Sequence, residues 1–313
     1  MQVYGKKEVG RINLHNKNKI LLSLKIFKAM FKYKNFIVLV SKNGRKTVIP
    51  LMVLFNKLFN RNIYHSLIGS TTHQTLEENW KYVKCFNSLT GNWSETYTEK
   101  KLLEDRGLKN VTVIKNFKNL RVLLPDELNY IQSEPYPLCT FSRVEELKGI
   151  PDIVRAINNV NKYFGRTVLT LDIYGKVMEH YEKSFEELKK EFGNDIHYKG
   201  IVDFDKSVEV LKNYYMVVFP TKYYTEGIPG TLLDAFSSGV PVLSSEWESC
   251  FDIMTNEVGI TYKFNDSMAL EDALKYIVNN TDNINSMKKA CLNEAKKYTL
   301  NEVVKTIDRY LKR

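Results

Sequence analysis

The chain has 313 residues, of which 43% are hydrophobic and 26% charged, and its formal net charge is +10 at pH 7. This composition is that of an ordinary globular protein, and the length favours two domains. No apolar run approaches the ~20 residues that a membrane-spanning helix needs, and no signal peptide follows Met1. We therefore expect a cytoplasmic protein.

The charge is concentrated near the start of the chain. Residues 1–125 contain 23 Lys and Arg against 7 Asp and Glu, whereas the remaining residues contain 23 against 29. This asymmetry predicts two units with different partners, and phosphate-bearing lipid, anionic membrane and nucleic acid are candidates for the basic unit. The four cysteines lie far apart without metal spacing, which predicts reduced thiols.

The first part of the chain reads as an α/β unit. Helices are predicted over residues 20–34, 49–59 and 100–107, and strands over 36–41, 62–68, 92–97 and 111–114. No apolar strand with a glycine-rich turn precedes Ile20, so this unit is expected to lack a first strand. Residues 130–137, with two prolines, are the best candidate for a linker.

The first predicted helix has an amphipathic pattern. Ile20, Leu24, Phe27 and Phe31 form one stripe, and lysines 25, 28 and 32 lie beside it. This pattern is typical of a helix lying in a membrane interface. A buried helix whose lysines reach past the core to solvent explains it equally well.

The second part alternates more regularly. Strands are predicted over 138–142, 168–174, 196–198, 216–219, 240–244 and 259–264, and helices over 150–164, 181–192, 208–214, 231–238, 268–279, 284–297 and 301–312. Such alternation predicts a parallel sheet covered by helices on both faces. Sheets of this kind bind ligands at the carboxyl ends of their strands.

Candidate binding residues follow three of these strands. Arg143 and Lys148, in "FSRVEELKGI", follow the first strand, and Gly175 and Lys176, in "IYGK", follow the second. Cations at a strand end beside a helix N-terminus suit a phosphate group. Basic residues are common in this chain, so each pair alone also fits an ordinary surface loop.

The third candidate is "TEGIPGTLLDAFSSGVPVLSS", which begins at Thr225. Glu226 precedes a loop, and Asp234 lies about one turn inside the next helix. Gly227 and Gly230 let the backbone approach a ligand closely, and carboxylates suit the vicinal hydroxyls of a sugar or ribose ring. Taken one at a time, the two acids also have ordinary explanations: Asp234 interacts favourably with the helix dipole, and Glu226 is solvated. The three stretches together predict a site for a phosphorylated sugar.

Other common sites lack their sequence signals. G-x-G-x-x-G does not follow any predicted strand, and the P-loop and G-x-S-x-G patterns are absent. The five histidines are isolated, which argues against a metal site.

These residues resemble the signature of the retaining GT-B glycosyltransferases of family 4. "EGIPGTLLDAFSSGVPVLSS" is similar to the family pattern of two acids separated by seven residues, followed by alanine and a Gly-x-Pro-Val element. "FSRVEELKGI" looks like the family's strand–Arg–x4–Lys-Gly element. "IYGK", "HYKGIV" and "VVFPT" follow in the expected order, and "NVTVIKNF" resembles the segment that closes the first domain.

The resemblance implies a role for each matching residue. Arg143 and Lys148 would bind the donor diphosphate in place of a metal ion, Glu226 would contact the donor sugar, and Asp234 would hold the ribose hydroxyls. The implied catalytic residues are thus Arg143, Lys148 and Glu226. The remaining donor-binding residues are Gly175, Lys176, Gly227, Ile228, Pro229, Gly230, Thr231 and Asp234.

The resemblance also implies an architecture. Two Rossmann-like domains would face a cleft: a basic acceptor-side domain over residues 1–131, a nucleotide-sugar domain over 132–296, and a final helix over 297–313 that packs back on the first domain. The donor would be a nucleotide sugar, with UDP favoured over GDP, and neither cofactor nor metal is expected. The acceptor would be a saccharide or lipid-linked saccharide in the synthesis of bacterial capsule, O-antigen or exopolysaccharide, with peripheral contact to the inner face of an anionic membrane.

The chain departs from the family at two places. Asp234 stands where the family usually has a glutamate, and the first strand with its glycine-rich acceptor loop is missing. Gly69 and His73 are only weak candidates for the acceptor side. Two alternatives therefore stay open: a sugar-nucleotide epimerase of the same architecture, and a nucleotide-sugar-binding protein with impaired catalysis. Nucleic-acid binding has no supporting motif.

Overall fold

The protein folds as two compact units. A computed structural model describes residues 9–14, 18–67 and 72–311. Unit 1 comprises Met1–Lys115 and Val303–Arg313, and unit 2 comprises Asn116–Glu302. Each described unit contains one parallel sheet. Two parallel-sheet α/β domains are what the alternating sequence pattern predicts.

The sequence-based domain boundaries, after residues 131 and 296, differ from those of the structure. Residues 116–131 belong to unit 2 because they pack on it: Leu123 joins Val208 and Leu292 in a small apolar cluster. The Leu123 N–H also donates to the Ser237 carbonyl at 3.0 Å. The segment 130–137 is therefore not a linker between the units, and strand β5 already begins at Tyr136.

Unit 1 has a four-stranded sheet with the order β1-β2-β3-β4. Its strands are β1 (Asn35–Leu39), β2 (Asn62–Ser66), β3 (Gly91–Ser94) and β4 (Val111–Val113), and its helices before β4 are α1 (Lys19–Lys32), α2 (Lys42–Phe59), α3 (Thr72–Glu78), α4 (Lys81–Asn87) and α5 (Tyr97–Asp105). Helices α3 and α4 were not predicted, because each spans two turns at most and carries no apolar stripe long enough to recognise.

Helix α1 buries a different stripe from the one that the sequence suggested. Leu22, Ile26 and Met30 are buried in the core of unit 1. Ile20 and Phe31 stay 75% and 66% exposed, and lysines 25, 28 and 32 are exposed as well. The apolar side chains of the predicted stripe therefore lie largely at the surface.

The last helix belongs to unit 1 from Val303 onwards. Val303, on this helix, packs with Tyr64, Trp93 and Ile114, and the Tyr64 hydroxyl donates to the Tyr310 carbonyl at 3.0 Å. A C-terminal helix returning to the first domain was expected from the family resemblance.

Unit 2 has a six-stranded parallel sheet with the order β10-β9-β8-β5-β6-β7. Its strands are β5 (Tyr136–Phe141), β6 (Leu169–Tyr174), β7 (Ile196–Gly200), β8 (Met216–Phe219), β9 (Val242–Ser245) and β10 (Gly259–Tyr262). The helices that follow β4 are α6 (Ile150–Phe164), α7 (Glu182–Leu188), α8 (Ser207–Leu211), α9 (Gly230–Ser237), α10 (Ser267–Asn279), α11 (Thr281–Ser286), α12 (Lys288–Ala295) and α13 (Leu300–Leu311), the last in unit 1.

Strand order in unit 2 brings distant parts of the chain together. β5 lies between β6 and β8, and all three run parallel. The carboxyl ends of adjacent parallel strands lie at the same edge of a sheet, so the loop from β5 to α6 lies beside the loop from β8 to α9. The predicted alternation of elements is confirmed here.

Within the described ranges, no helix is both long and apolar enough to cross a membrane. All four cysteines are free thiols, and three of them are buried.

Candidate functional site

A cavity of about 300 Å³ lies at the carboxyl ends of β5 and β8 in unit 2. It is lined by Lys118, Phe141, Ser142, Arg143, Lys148, Phe219, Glu226, Pro229, Gly230, Thr231 and Asp234. The two cations and two acids singled out in the sequence therefore meet in one cavity. Lys118 is an additional lining residue that the sequence patterns did not single out.

Two glycines fix the loop that carries Arg143 and Lys148. Gly149 has φ +69°, and a Cβ there would lie 1.8 Å from the Pro220 carbonyl oxygen. Gly175 has φ +133°, and a Cβ there would lie 1.8 Å from the Ser142 carbonyl oxygen. Neither position tolerates a side chain, because the neighbouring backbone occupies its space.

The predicted donor residues Gly175 and Lys176 do not line the cavity. The Lys176 carbonyl accepts a 2.9 Å hydrogen bond from the Val144 N–H, and the Lys176 side chain is exposed. Together with the close approach of Gly175 to Ser142, this bond holds the backbone beside Arg143. In this arrangement the two residues position the loop through their main chain.

Lys148 and Glu226 form an ion pair inside the cavity. Their side chains are 12% and 15% exposed, and the Thr221 hydroxyl donates to Glu226 Oε1 at 3.1 Å. Arg143, by contrast, is well exposed, and its Nη2 lies 3.3 Å from Glu145 Oε1. The structure thus holds Lys148 and Glu226 in place and leaves Arg143 open to solvent.

Asp234 lies deeper than Glu226. Its side chain is 2% exposed, its Oδ1 accepts from the Ser207 hydroxyl at 2.9 Å, and its Oδ2 is paired with the Lys118 ammonium. Burial raises the pKa of the Asp234 carboxyl, and Lys118 and Ser207 oppose that rise. Ser207 was another residue that the sequence reading missed.

The loop between the two acids is held by hydrogen bonds. Gly227 and Ile228 are buried and do not line the cavity, and the Asn116 side chain donates to the Ile228 carbonyl at 2.9 Å. The Thr231 hydroxyl donates to the Phe141 carbonyl at 2.6 Å, which ties the first turn of α9 to the end of β5. Pro229, Gly230 and Thr231 line the cavity.

The two weak acceptor-side candidates belong to unit 1. Gly69 lies outside the described residues. His73 lies on α3 and is buried, which lowers its pKa, with Arg106 adding to the effect. His65 on β2, which no pattern indicated, is fully buried, and burial lowers its pKa to about 3, so that it is neutral near pH 7.

In the part of the chain that the structure describes, no three His, Cys, Asp or Glu side chains cluster closely enough to hold a metal ion.

Solved structures show what class of protein this fold defines. HepE of Anabaena in complex with UDP has a TM-score of 0.77 and 13% identity, with 93% of this chain and 82% of that chain covered. A variant of S. aureus TarM in complex with fondaparinux, α-GlcNAc-glycerol and UDP has a TM-score of 0.70 and 15% identity, with 92% of this chain and 58% of that chain covered. The lipopolysaccharide outer core galactosyltransferase WaaB has a TM-score of 0.69 and 15% identity, with 95% of this chain and 81% of that chain covered. At these identities the likeness establishes the fold, which is that of the GT-B glycosyltransferases.

The family follows from the sequence of unit 2. The model of the group 1 glycosyl transferases matches residues 126–298, more than half of the chain. The chain therefore belongs to the group 1 glycosyl transferases. No curated protein sequence matches it as a relative.

Proposed function

We propose that this glycosyltransferase moves a sugar from a UDP-linked donor to a saccharide or lipid-linked saccharide, as a family 4 enzyme that retains anomeric configuration. The observation that carries the proposal is that Arg143, Lys148, Glu226 and Asp234 line one cavity. The crystal complexes of HepE with UDP and with UDP-glucose support a uridine nucleotide as the donor carrier.

Arg143 and Lys148 would act on the leaving group. When the bond between the sugar and the diphosphate breaks, negative charge grows on the diphosphate oxygens. Cations that are already in place stabilise this charge more in the transition state than in the bound substrate, and this difference raises kcat. The paired, little-exposed Lys148 needs little reorganisation to do so.

Glu226 would bind the hydroxyls of the donor sugar. Its Oε1 is occupied by Lys148 and Thr221, so the carboxylate is held in one orientation. Backbone N–H groups of the loop from Gly227 to Gly230 would lie near the transferred sugar. Attack by the acceptor on the face from which the nucleotide leaves would retain the configuration, and NMR of the product anomer tests this.

The reaction is proposed to need no metal ion, because Arg143 and Lys148 supply the positive charge that a metal would supply to the diphosphate. Transfer should be unchanged after treatment with EDTA and removal of the chelator. Loss of activity that Mg²⁺ or Mn²⁺ restores would contradict this part of the proposal.

The acceptor is proposed to be presented at the inner, cytoplasmic face of an anionic membrane, as in the synthesis of bacterial surface polysaccharides. Support comes from α1, where Ile20 and Phe31 are exposed beside exposed lysines. Apolar side chains enter the interface while lysines attract anionic lipid.

Sedimentation with phosphatidylcholine vesicles, with and without phosphatidylglycerol, tests the membrane proposal. Ile20→Glu should reduce binding to the anionic vesicles several-fold. Met268→Glu, at an equally exposed apolar position of α10 in unit 2, is the matched control. Equal sedimentation of the two variants would end the proposal.

The decisive experiment for the function is a donor panel. UDP, GDP, ADP and their sugars are first compared by thermal shift, and each stabilising donor is then incubated with and without saccharide acceptors. Sugar transfer supports the proposal. An altered sugar nucleotide without acceptor would indicate an epimerase, and stabilisation by UDP without any transfer would indicate a binding protein.

A further inference from the structure

Asp234 is occupied on both of its oxygens. The Ser207 hydroxyl donates to Oδ1 at 2.9 Å, and the Lys118 ammonium is paired with Oδ2. The aspartate is one methylene shorter than the glutamate of the family pattern, and its side chain is 2% exposed. A ligand in the cavity therefore meets a recessed carboxylate with a cation already beside it.

Lys118 lies beside Asp234 at the cavity wall. Its side chain is 25% exposed, and it lines the cavity together with Arg143 and Lys148. Its ammonium lies 5.4 Å from the centre of the Phe204 ring, and its Cε would be 3.0 Å from a Cβ built on Gly230. Lys118 thus runs along the first turn of α9 towards the carboxylate.

We propose that Lys118 is a donor-binding residue, which forms with Asp234 a joint site for the two ribose hydroxyls of the nucleotide. This inference rests on the proposed function, since it assumes a nucleotide donor in this cavity. An ammonium has three N–H groups, and the Asp234 pair uses one of them. Another N–H donates to one ribose oxygen, while the carboxylate accepts from the neighbouring hydroxyl.

The Lys118–Asp234 pair suits the binding of two ribose hydroxyls better than Asp234 alone does. A buried carboxylate without a cation takes up a proton more readily, because burial raises its pKa. Lys118 opposes that rise, and its ammonium, which is more exposed than the Asp234 carboxylate, adds hydrogen-bond donors to the same cavity wall. The shorter acid and the lysine together thus offer a ligand both an acceptor and a donor.

A purely structural role for the pair is the competing explanation. The segment around Lys118 is already fixed to unit 2 by other bonds. Asn116 donates to the Ile228 carbonyl at 2.9 Å, and Leu123 donates to the Ser237 carbonyl at 3.0 Å. A parallel bridge also joins Lys118 to Thr299. The ion pair is therefore not needed to hold the segment, whereas a ligand-binding role explains its place at the cavity wall.

The test uses UDP and 2′-deoxy-UDP, which differ by one ribose hydroxyl. Their affinities are measured by calorimetry for the wild type, Lys118→Met and the control Lys212→Met, which removes a lysine of similar exposure that is paired with Glu209 outside the cavity. The wild type and the control should prefer UDP by about tenfold, the value of one hydrogen bond to a charged group. Lys118→Met should reduce that preference to about threefold or less.

A second comparison covers the case in which Lys118→Met does not fold. The double variant Lys118→Met/Asp234→Asn carries no buried charge in need of a partner, so it is expected to fold. It should discriminate the two nucleotides less than Asp234→Asn alone. Equal discrimination by these two variants, or a wild-type preference in folded Lys118→Met, would overturn the role of Lys118.

The outcome also separates this inference from the proposed function. If the wild type binds neither nucleotide and no other nucleoside diphosphate, the proposed function is wrong and the inference falls with it. If the wild type binds UDP and 2′-deoxy-UDP equally, the nucleotide site stands and the ribose site at Lys118 and Asp234 is wrong.

Discussion

Two ion pairs line the same cavity, and they differ in depth. Lys148 and Glu226 are both slightly exposed, and Glu226 also accepts from Thr221. In the second pair Asp234 is almost completely buried, whereas Lys118 is a quarter exposed. The first pair can exchange contacts with a ligand at little cost. The second contains a carboxylate that is costly to leave without a partner, so removal of the two lysines should have different consequences.

The largest effect is expected on the rate of sugar transfer when Lys148 of the first pair, or the neighbouring Arg143, is removed. Arg143→Ala and Lys148→Ala should each lower kcat by ~10²-fold or more, because each removes charge that stabilises the departing diphosphate. The melting temperature should change little, since Arg143 is exposed and Glu226 keeps Thr221 and access to water.

Steady-state kinetics with the donor identified in the panel measures this effect, with Lys183→Ala on the exposed face of α7 as the control. Wild-type activity in either variant would remove its catalytic role. A large loss of thermal stability in Lys148→Ala would show that the first pair resembles the second.

Glu226→Gln tests the acid of the first ion pair, as Lys148→Ala tests its cation. The change weakens a charged hydrogen bond to the donor sugar, so kcat/KM should fall by about tenfold or more, while the affinity for UDP alone changes by about twofold at most. Calorimetry with UDP and kinetics with the sugar nucleotide separate the two effects. Glu187→Gln on α7 is the exposed control. A defect confined to UDP affinity would place Glu226 at the nucleotide instead of the sugar.

The two pairs also differ in how far the sequence predicts them. Lys148 and Glu226 were both singled out, because short loops at strand ends carry local residue patterns that do not depend on distant contacts. Asp234 was found in the same way, but its partners are 116 and 27 residues away in the chain. Lys118 and Ser207 belong to no local pattern, so only the folded backbone shows that they meet Asp234.

The same limit applies to the rest of the fold. The alternating apolar runs of unit 2 predict its parallel sheet, because strands buried on both faces need continuous apolar sequence. In unit 1, α3 and α4 were missed, and the buried face of α1 turned out to be Leu22, Ile26 and Met30. When apolar residues occur on several faces of a helix, the sequence alone does not tell which face the core covers.

Lys118→Met should differ from Lys148→Ala because it lowers the stability of the protein in addition to weakening the discrimination between UDP and 2′-deoxy-UDP. Removing the cation from the buried carboxylate should lower the free energy of unfolding by about 2 kcal/mol near neutral pH, less than for a fully buried pair because Lys118 is partly exposed. Without Lys118, which opposes the effect of burial, the pKa of Asp234 rises further above its usual value of 3.8.

The variant's loss of stability should depend on pH in a defined direction. The folded state of Lys118→Met then binds a proton at pH values above 3.8 where the unfolded state has lost it, so stability falls as pH rises and should be higher when measured at about pH 5 than at about pH 8. The deficit relative to the wild type should therefore be smaller at the lower pH. Urea unfolding at both pH values measures this, and a deficit independent of pH would show that Asp234 does not depend on Lys118 for its charge.

Ser207→Ala is expected to have the smallest effect of these substitutions. It removes the hydroxyl that donates to Asp234 Oδ1 at 2.9 Å and leaves the Lys118 pair in place. Because one oxygen of a buried carboxylate then lacks its donor, the free energy of unfolding should fall by about 1–2 kcal/mol. Ser184→Ala, at an exposed position of α7, should have no measurable effect. If the two serine variants were equally stable, water would be able to reach Asp234, and the contrast in depth between the two acids would disappear.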